Sequence, residues 1–285
     1  MRVKGYLYIA AAAMLWGMLG PFSRLALSEG LQPMEIAFWR AALTWGFFAA
    51  HAAATRTVRM SVRDFPMTAL FAIIGVTAFY GSYQVAIRAG GAAMAAVLLY
   101  TAPAWVCVIA RFTFRERFTR LKILALAFTL MGVACVAGGG GGGIQVTWSG
   151  VFFGLTAGFC YSLYYIIGKY FSDKYTAPNL FLYMLPMGAI TLFPWVEFSH
   201  KSPTAWTALF CIAALCTYAA YFLYYIGLKH LEASRAAITA TIEPVVAAVV
   251  AFFWWGESFG VAAYVGSSLI LSSVLLIIRD RDAGD

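Results

Sequence analysis

YGSYQVAIRAGGAAMAAVLLYTAPAWVCVIARFTFRERFTRLKILALAFTLMGV, residues 80–133, occurs twice in this chain. Displaced by 141 positions it meets YFLYYIGLKHLEASRAAITATIEPVVAAVVAFFWWGESFGVAAYVGSSLILSSV, residues 221–274, without a gap. Tyr80, Tyr83, Ala92, Ala95, Ala96, Pro103, Val108, Ala110, Phe112, Glu116, Phe118, Leu130 and Val133 fall on identical residues, and Arg88 falls on Lys229. Each copy reads as an apolar helix with a proline in its middle. A Glu stands 13 residues further on (Pro103 with Glu116, Pro244 with Glu257), followed by a Phe and a second apolar run. Solenoid and propeller repeats have periods of about 20–50 residues; this one is half the chain.

Outward from that stretch the halves keep matching. Gly5 aligns with Gly150, Trp16 with Tyr161 and Arg24 with Lys169, at a displacement of 145. The four extra residues of the first half fit the longer polar connection Ala54–Asp64. The run Gly138–Gly143, with its short tail to Thr147, cannot continue a helix and reads as a linker. The expected organisation is a first repeat over 1–138, a Gly-rich outer linker over 139–147 and a second repeat over 148–285.

With 62% hydrophobic residues, 11% charged residues and a mean hydropathy of +0.80, the chain departs from soluble domains, where about a quarter of residues are charged. Each apolar run approaches the roughly 20 residues that cross a bilayer. The expected fold class is an all-α membrane protein with ten transmembrane helices at 5–26, 34–53, 66–87, 92–113, 120–138, 149–170, 178–197, 204–228, 233–255 and 259–279. Five helices per repeat is an odd number, so the two copies are expected in opposite orientations. With both termini cytoplasmic, the inner segments hold 16 Lys and Arg and the outer segments 3, namely Arg24, Arg88 and Lys201. That asymmetry follows the positive-inside rule. The turn Arg111–Lys122 carries five basic residues and its copy, Phe252–Ala263, carries none, as a 5+5 inverted-topology repeat requires.

The net charge of +8 is accounted for by these turns rather than by nucleic-acid binding. Cys107, Cys135, Cys160, Cys211 and Cys216 lie in apolar segments without metal-type spacing and read as buried hydrophobes. His51, His200 and His230 share no ligand spacing, so neither a metal nor a cofactor is expected. The first span is expected to act as its own insertion signal. Gly150, Gly154 and Gly158 form a small-residue stripe that lets a helix approach closely.

Inverted repeats of membrane helices mark secondary transporters that hold substrate near the midplane between the repeats. Pro103 and Pro244 occupy equivalent places and read either as hinges or as static kinks. The segments Pro103–Glu116–Phe118–Thr119 and Glu243–Pro244…Gly256–Glu257, with Trp16–Gly17 and Arg40, resemble the EamA family of the drug/metabolite transporter superfamily. The likeness covers essentially the whole chain and is greatest to YddG-type aromatic amino acid exporters. It implies a ten-helix carrier of the bacterial inner membrane that exports aromatic and other apolar amino acids. Arg115 stands where the second copy has Gly256, which leaves the geometry of that turn open.

Tyr80, Tyr83 and Gln84 share a helix face at i, i+3 and i+4. Tyr221, Tyr224 and Tyr225 repeat them, Tyr161, Tyr164 and Tyr165 form a third set, and Trp16 is placed like Tyr161. With Tyr100 they outline an aromatic lining suited to a flat, partly apolar solute; the alternative is plain bundle packing. Glu243 lies deep in its span beside Pro244. It is a candidate for a substrate amino group, for a proton, or for a structural bond with Arg40 or a Tyr. Arg40 lies about 9 Å along its helix from the outer end and is expected either to pair or to snorkel. Glu116 and Glu257 read as turn or gate residues.

An enzyme is not expected, because one deep carboxylate and no His cluster make a poor catalytic set. No ATP-binding loop is present. The partners expected are the solute and membrane lipids, with the protein a monomer. Efflux of drugs or organic cations is the alternative cargo, and a membrane-embedded enzyme is the alternative of a different class.

Overall fold

The computed structural model describes residues 2–138, 147–256 and 260–280. Among these, every regular element is helical. In hydrocarbon the backbone must satisfy its own polar groups, and helices do so locally. The elements are α1 (Arg2–Gly17), α2 (Leu19–Ser28), α3 (Pro33–Ala54), α4 (Phe65–Ala72), α5 (Phe79–Leu99), α6 (Ala102–Thr113) and α7 (Arg120–Gly138) in the first half. The second half holds α8 (Trp148–Ser172), α9 (Ala177–Leu192), α10 (Pro203–Ala213), α11 (Ala220–Leu228), α12 (Ala233–Ala240), α13 (Glu243–Trp255) and α14 (Val261–Arg279). Nine helical spans among the described residues are long and apolar enough to cross a membrane: α1 with α2, α4 with the first part of α5, the last part of α5 with α6, α10 with α11 and α12 with α13 each count as one, and α7, α8, α9 and α14 stand singly. Helix α3, with Arg40 and His51 in its 22 residues, stands outside that set. The linker residues 139–146 and Glu257 lie outside the described residues.

Equivalent helices run in opposite directions. Gly5 of α1 packs against Leu231 and Gly227, close to Leu228, whose carbonyl accepts a 2.7 Å bond from Lys169 near the end of α8. At the far end of α1, Gly17 lies on Glu243, which Tyr161 in the middle of α8 reaches at 3.5 Å. Thus α1 advances while its counterpart α8 returns. Helices α7 and α14 cross at glycine: a Cβ on Gly132 would stand 2.7 Å from the Gly266 carbonyl, and Thr129 meets Ser273 at 2.9 Å.

Several expected boundaries shift. The first helix is interrupted at Met18. The expected division between 87 and 92 stands in the spans Phe65–Ile87 and Met94–Thr113, although helical backbone runs on through α5 to Leu99; the chain does not stay straight there. A straight α-helix from Phe79 to Leu98 would be about 28 Å long. Phe79 instead stacks on Tyr161 at 5.4 Å, Ala89 accepts a bond from Thr147, and Leu98 returns to Gly154 and Gly158. The chain therefore reverses near Gly90. The glycine stripe of α8 is what admits the returning Leu98: a Cβ at Gly158 would stand 2.6 Å from its carbonyl.

The prolines are not in mid-helix. Each span breaks just before its proline, at Tyr100–Thr101 and at Thr241–Ile242, and Pro103 and Pro244 begin new helices. There the missing N–H leaves no helical bond unmade. The two breaks are equivalent at the 141-residue displacement. So are two π-helical turns, Ile73–Ala78 and Ala214–Ala219. In the second, the Ile212 and Ala213 carbonyls are met by the hydroxyls of Thr217 (2.8 Å) and Thr44 (3.2 Å). Side-chain donors of this kind allow a π turn to persist in an apolar bundle. Gly256 at φ 66° and Arg115 at φ 56°, equivalent at the same displacement, both take the left-handed backbone. The Arg-for-Gly departure thus keeps the sign of φ at that residue.

Candidate functional site

An aromatic cluster occupies the junction of the halves, between the two broken spans. Trp16, near the end of α1, meets Tyr221 at 5.8 Å and Tyr224 at 5.4 Å between ring centroids. Tyr164 stacks on Tyr221 at 5.9 Å, Tyr165 meets Tyr224 edge-on at 5.6 Å and Tyr161 at 5.6 Å. Phe79 links Tyr80, Tyr83 and Tyr161 to the group, and Phe181 stacks on Tyr221 at 4.9 Å. The rings named from sequence are thus brought together, with Phe79, Phe181 and, edge-on to Tyr164 at 4.9 Å, Phe71 added. Those three were missed because a Phe in an apolar helix gives no signal against its neighbours. The Gln84 side chain lies outside the described residues.

Trp16, Tyr164, Tyr165, Tyr221 and Tyr224 are buried, while Tyr80, Tyr83, Tyr100 and Tyr161 keep part of their surface open. At the centre, Arg40, Ala41, Val76, Tyr80, Tyr164, Leu185, Thr217 and Tyr221 enclose a cavity of only about 10 Å³. A much larger one, about 480 Å³, lies beyond Lys169 and Leu231, bounded by Arg2, Arg115, Glu116, Arg117, Glu232 and Arg235.

Glu243 stands in the first turn of α13, where the leading backbone N–H groups lack helical acceptors. Tyr165 donates to Tyr161 at 3.4 Å and Tyr161 to the Glu243 carboxylate at 3.5 Å, with Tyr100 at the same carboxylate. Glu243 makes no ion pair with Arg40, and Arg40 does not snorkel. Its side chain turns into the bundle and is only 9% exposed. Nε donates to Thr217 Oγ1 at 2.9 Å, Nη2 lies 3.5 Å from the Tyr221 hydroxyl, and the guanidinium stands 5.8 Å from the Tyr80 ring centre. Distance along the helix misled here, because its rotation about the axis decides whether a side chain meets lipid or protein.

Glu116 acts across the halves. Its carboxylate accepts from the Ala233 and Ser234 N–H groups at 2.8 and 3.3 Å, capping α12, and also from the Ser234 hydroxyl. Lys122, 1% exposed, bridges Glu116 at 3.5 Å and Glu232 at 3.1 Å. Arg235 continues the network to Glu232, Tyr6 and Asp280. Spacing within the turn could not show the helix that Glu116 caps.

Comparison with known proteins matches this architecture. The EamA-like transporter family matches residues 3–138 and again residues 148–279. An uncharacterized transporter of Archaeoglobus fulgidus is 28% identical over 95% of both chains. A probable terminal-alkyne amino-acid exporter of Streptantibioticus cattleyicolor is 31% identical over 78% of this chain and 75% of its own. The uncharacterized transporter YdfC of Bacillus subtilis is 23% identical over 91% of this chain and 86% of its own. A solved crystal structure superposes with a TM-score of 0.84 over 97% of this chain and 96% of that one, at 15% identity, which speaks to fold alone. With both halves matched and its apolar helices placed to cross the bilayer repeatedly, this chain is a multi-pass membrane protein that belongs to the EamA-like transporter family.

Proposed function

We propose that the protein is a secondary carrier exporting aromatic and other apolar amino acids by alternating access across a bacterial inner membrane. In this reading α3 provides the tenth crossing, the repeats 1–138 and 148–285 lie inverted, and both termini are cytoplasmic. The observation that carries it is the cluster of Trp16, Tyr164, Tyr165, Tyr221 and Tyr224 at the junction of the halves. It is flanked by two equivalent helix breaks, at Tyr100–Thr101 and Thr241–Ile242. Broken helices at a repeat interface are where such carriers hold their cargo. Stacked rings select flat solutes.

The cavity beside Arg40, about 10 Å³, is too small for an amino acid as it stands, so the rings around it part when cargo enters. Pro103 and Pro244 are the hinges of that motion. Glu116 is the gate on the face carrying the 480 Å³ cavity, and Glu257 its repeat counterpart. The name of the Streptantibioticus relative supports amino acid cargo. A second reading, efflux of flat organic cations, draws on Glu243 beside Tyr100 and Tyr161.

The test is counterflow of labelled phenylalanine into liposomes containing the purified protein and its W16A, Y83A and Y224A variants. Loss of one stacking ring is expected to raise the half-saturating concentration about 3- to 10-fold, the equivalent of about 0.5–1.5 kcal/mol per ring pair. Unchanged half-saturation in all three variants would remove the cluster as the cargo site.

A further inference from the structure

We propose that Arg40 is the anchor for a carboxylate on the transported solute, an inference that rests on the carrier reading and names the chemistry of its cargo. Arg40 stands apart from the buried ion pairs of the described residues. Lys122 is paired with Glu116 and Glu232, Arg235 with Glu232 and Asp280, and Glu35 with Lys201. Arg40, also buried, meets only a threonine hydroxyl, a tyrosine hydroxyl and a tyrosine ring. A buried cation without a counter-ion is costly, and such residues within membrane spans mark substrate pathways. A guanidinium has five N–H donors in a planar fork that fits a carboxylate edge to edge. Thr217 and Tyr221 engage two of its nitrogens and leave the rest of the fork without an acceptor.

The surroundings have the same imbalance. The Trp16 indole N–H is buried without an acceptor, and its ring packs on Tyr221, the residue whose hydroxyl Arg40 approaches. Beside Arg40 the spare groups are thus N–H donors, on the guanidinium and on the Trp16 indole, and a solute bringing carboxylate oxygens supplies their acceptors. A solute bringing only an ammonium group does not.

The position fits transport. Three pairs of residues around Arg40 are repeat counterparts: Arg40 with Leu185, Val76 with Thr217, and Tyr80 with Tyr221. The small cavity therefore lies on the axis relating the halves, which a cargo must pass in either state of the cycle. In two of the pairs one half has kept an apolar residue and the other has placed a polar one. Glu243 is the opposite charge of this interior and is not in contact with Arg40, which leaves it for the ammonium group of a zwitterion. The 480 Å³ cavity, lined by Arg2, Arg115, Arg117, Lys169 and Arg235 against Glu116 and Glu232, is positive on balance and concentrates anionic groups at the approach.

The experiment is counterflow of labelled phenylalanine into liposomes, with competition by phenylalanine, phenylalaninamide, phenethylamine and 3-phenylpropionate. On the wild-type protein, the two amines lacking a carboxylate are expected to compete at least 10-fold less well than phenylalanine. R40Q is expected to raise the half-saturating phenylalanine concentration about 10- to 100-fold, as for loss of a charged hydrogen bond, and R40K to fall between. Equal competition by phenethylamine on the wild type, or wild-type half-saturation in R40Q, would overturn the assignment. Should R40Q not fold, the wild-type competition series decides alone. If no amino acid is moved but 3-phenylpropionate still raises the thermal unfolding midpoint of the wild type and not of R40K, the carboxylate site stands and the amino acid reading falls. If neither occurs, both fall.

Discussion

Arg115 holds φ at 56°, where the second half uses Gly256 at 66°. A residue with a Cβ is disfavoured there by about 1–2 kcal/mol, so the turn is kept at some local cost because it delivers Glu116 to the start of α12. Arg115→Gly is expected to raise the thermal unfolding midpoint of the detergent-solubilised protein. The stabilisation expected is about 0.5–1 kcal/mol after the greater chain entropy of glycine is offset. Arg115→Ala, which keeps the Cβ, should not do so; a gain of the same size in both variants would place the effect in the lost charge rather than in the backbone.

Helices in this bundle are joined at their ends by charge and along their lengths by close approach. At one end Glu35, fully buried near the start of α3, pairs with Lys201 at 2.5 Å and accepts from the Ser199 hydroxyl at 2.7 Å. Lys201 itself lies 5.3–5.7 Å from the ring centres of Trp39, Phe198 and Trp206. This ties α3 to the α9–α10 connection. Lys201→Ala leaves Glu35 buried and unpaired, and a loss of about 3–5 kcal/mol of stability is expected. The double variant Glu35→Gln with Lys201→Met should recover most of it, since removing both charges leaves none stranded. Chemical denaturation monitored by tryptophan fluorescence reads both, and a double variant no more stable than the single one would show that the pair is not the origin of the loss.

Across the whole molecule the halves are also clasped through their polar connections. Asp64 accepts from the Tyr175 hydroxyl at 2.8 Å and pairs with Lys174 at 3.4 Å, while Tyr175 receives the Ser61 N–H. The Tyr175 hydrogen bond, with Lys174 behind it, holds the Asp64 carboxyl below its ordinary range. A carboxylate whose folded pKa is depressed contributes stability above its unfolded pKa, near 3.9, and loses it as pH falls through the folded value. The thermal midpoint should therefore fall more steeply below about pH 4 in the wild type than in Asp64→Asn, measured from pH 7 to pH 3 in one detergent. Parallel curves would show that this clasp contributes nothing to the acid response.

The sequence alone determined that the chain is built as two matched halves of apolar helices and that tyrosines recur at helical spacing in equivalent places of both. These are properties of local composition and of a chain compared with itself, so they need no coordinates. Tertiary structure decided the rest. The π turns at Ile73–Ala78 and Ala214–Ala219 are invisible in their residues, IIGVTA and ALCTYA, because a π turn persists only where a neighbour such as Thr44 satisfies a freed carbonyl. The breaks fall before Pro103 and Pro244 rather than at them, since the missing N–H is harmless in a first turn. Arg40 could be counted from the helix end, but its rotation toward Thr217 and Tyr221 is set by the packing of α3 on the π turn of the other half. Whether that charge meets lipid or cargo is a question of which face each helix buries, and the facing helix, distant in the chain, decides it.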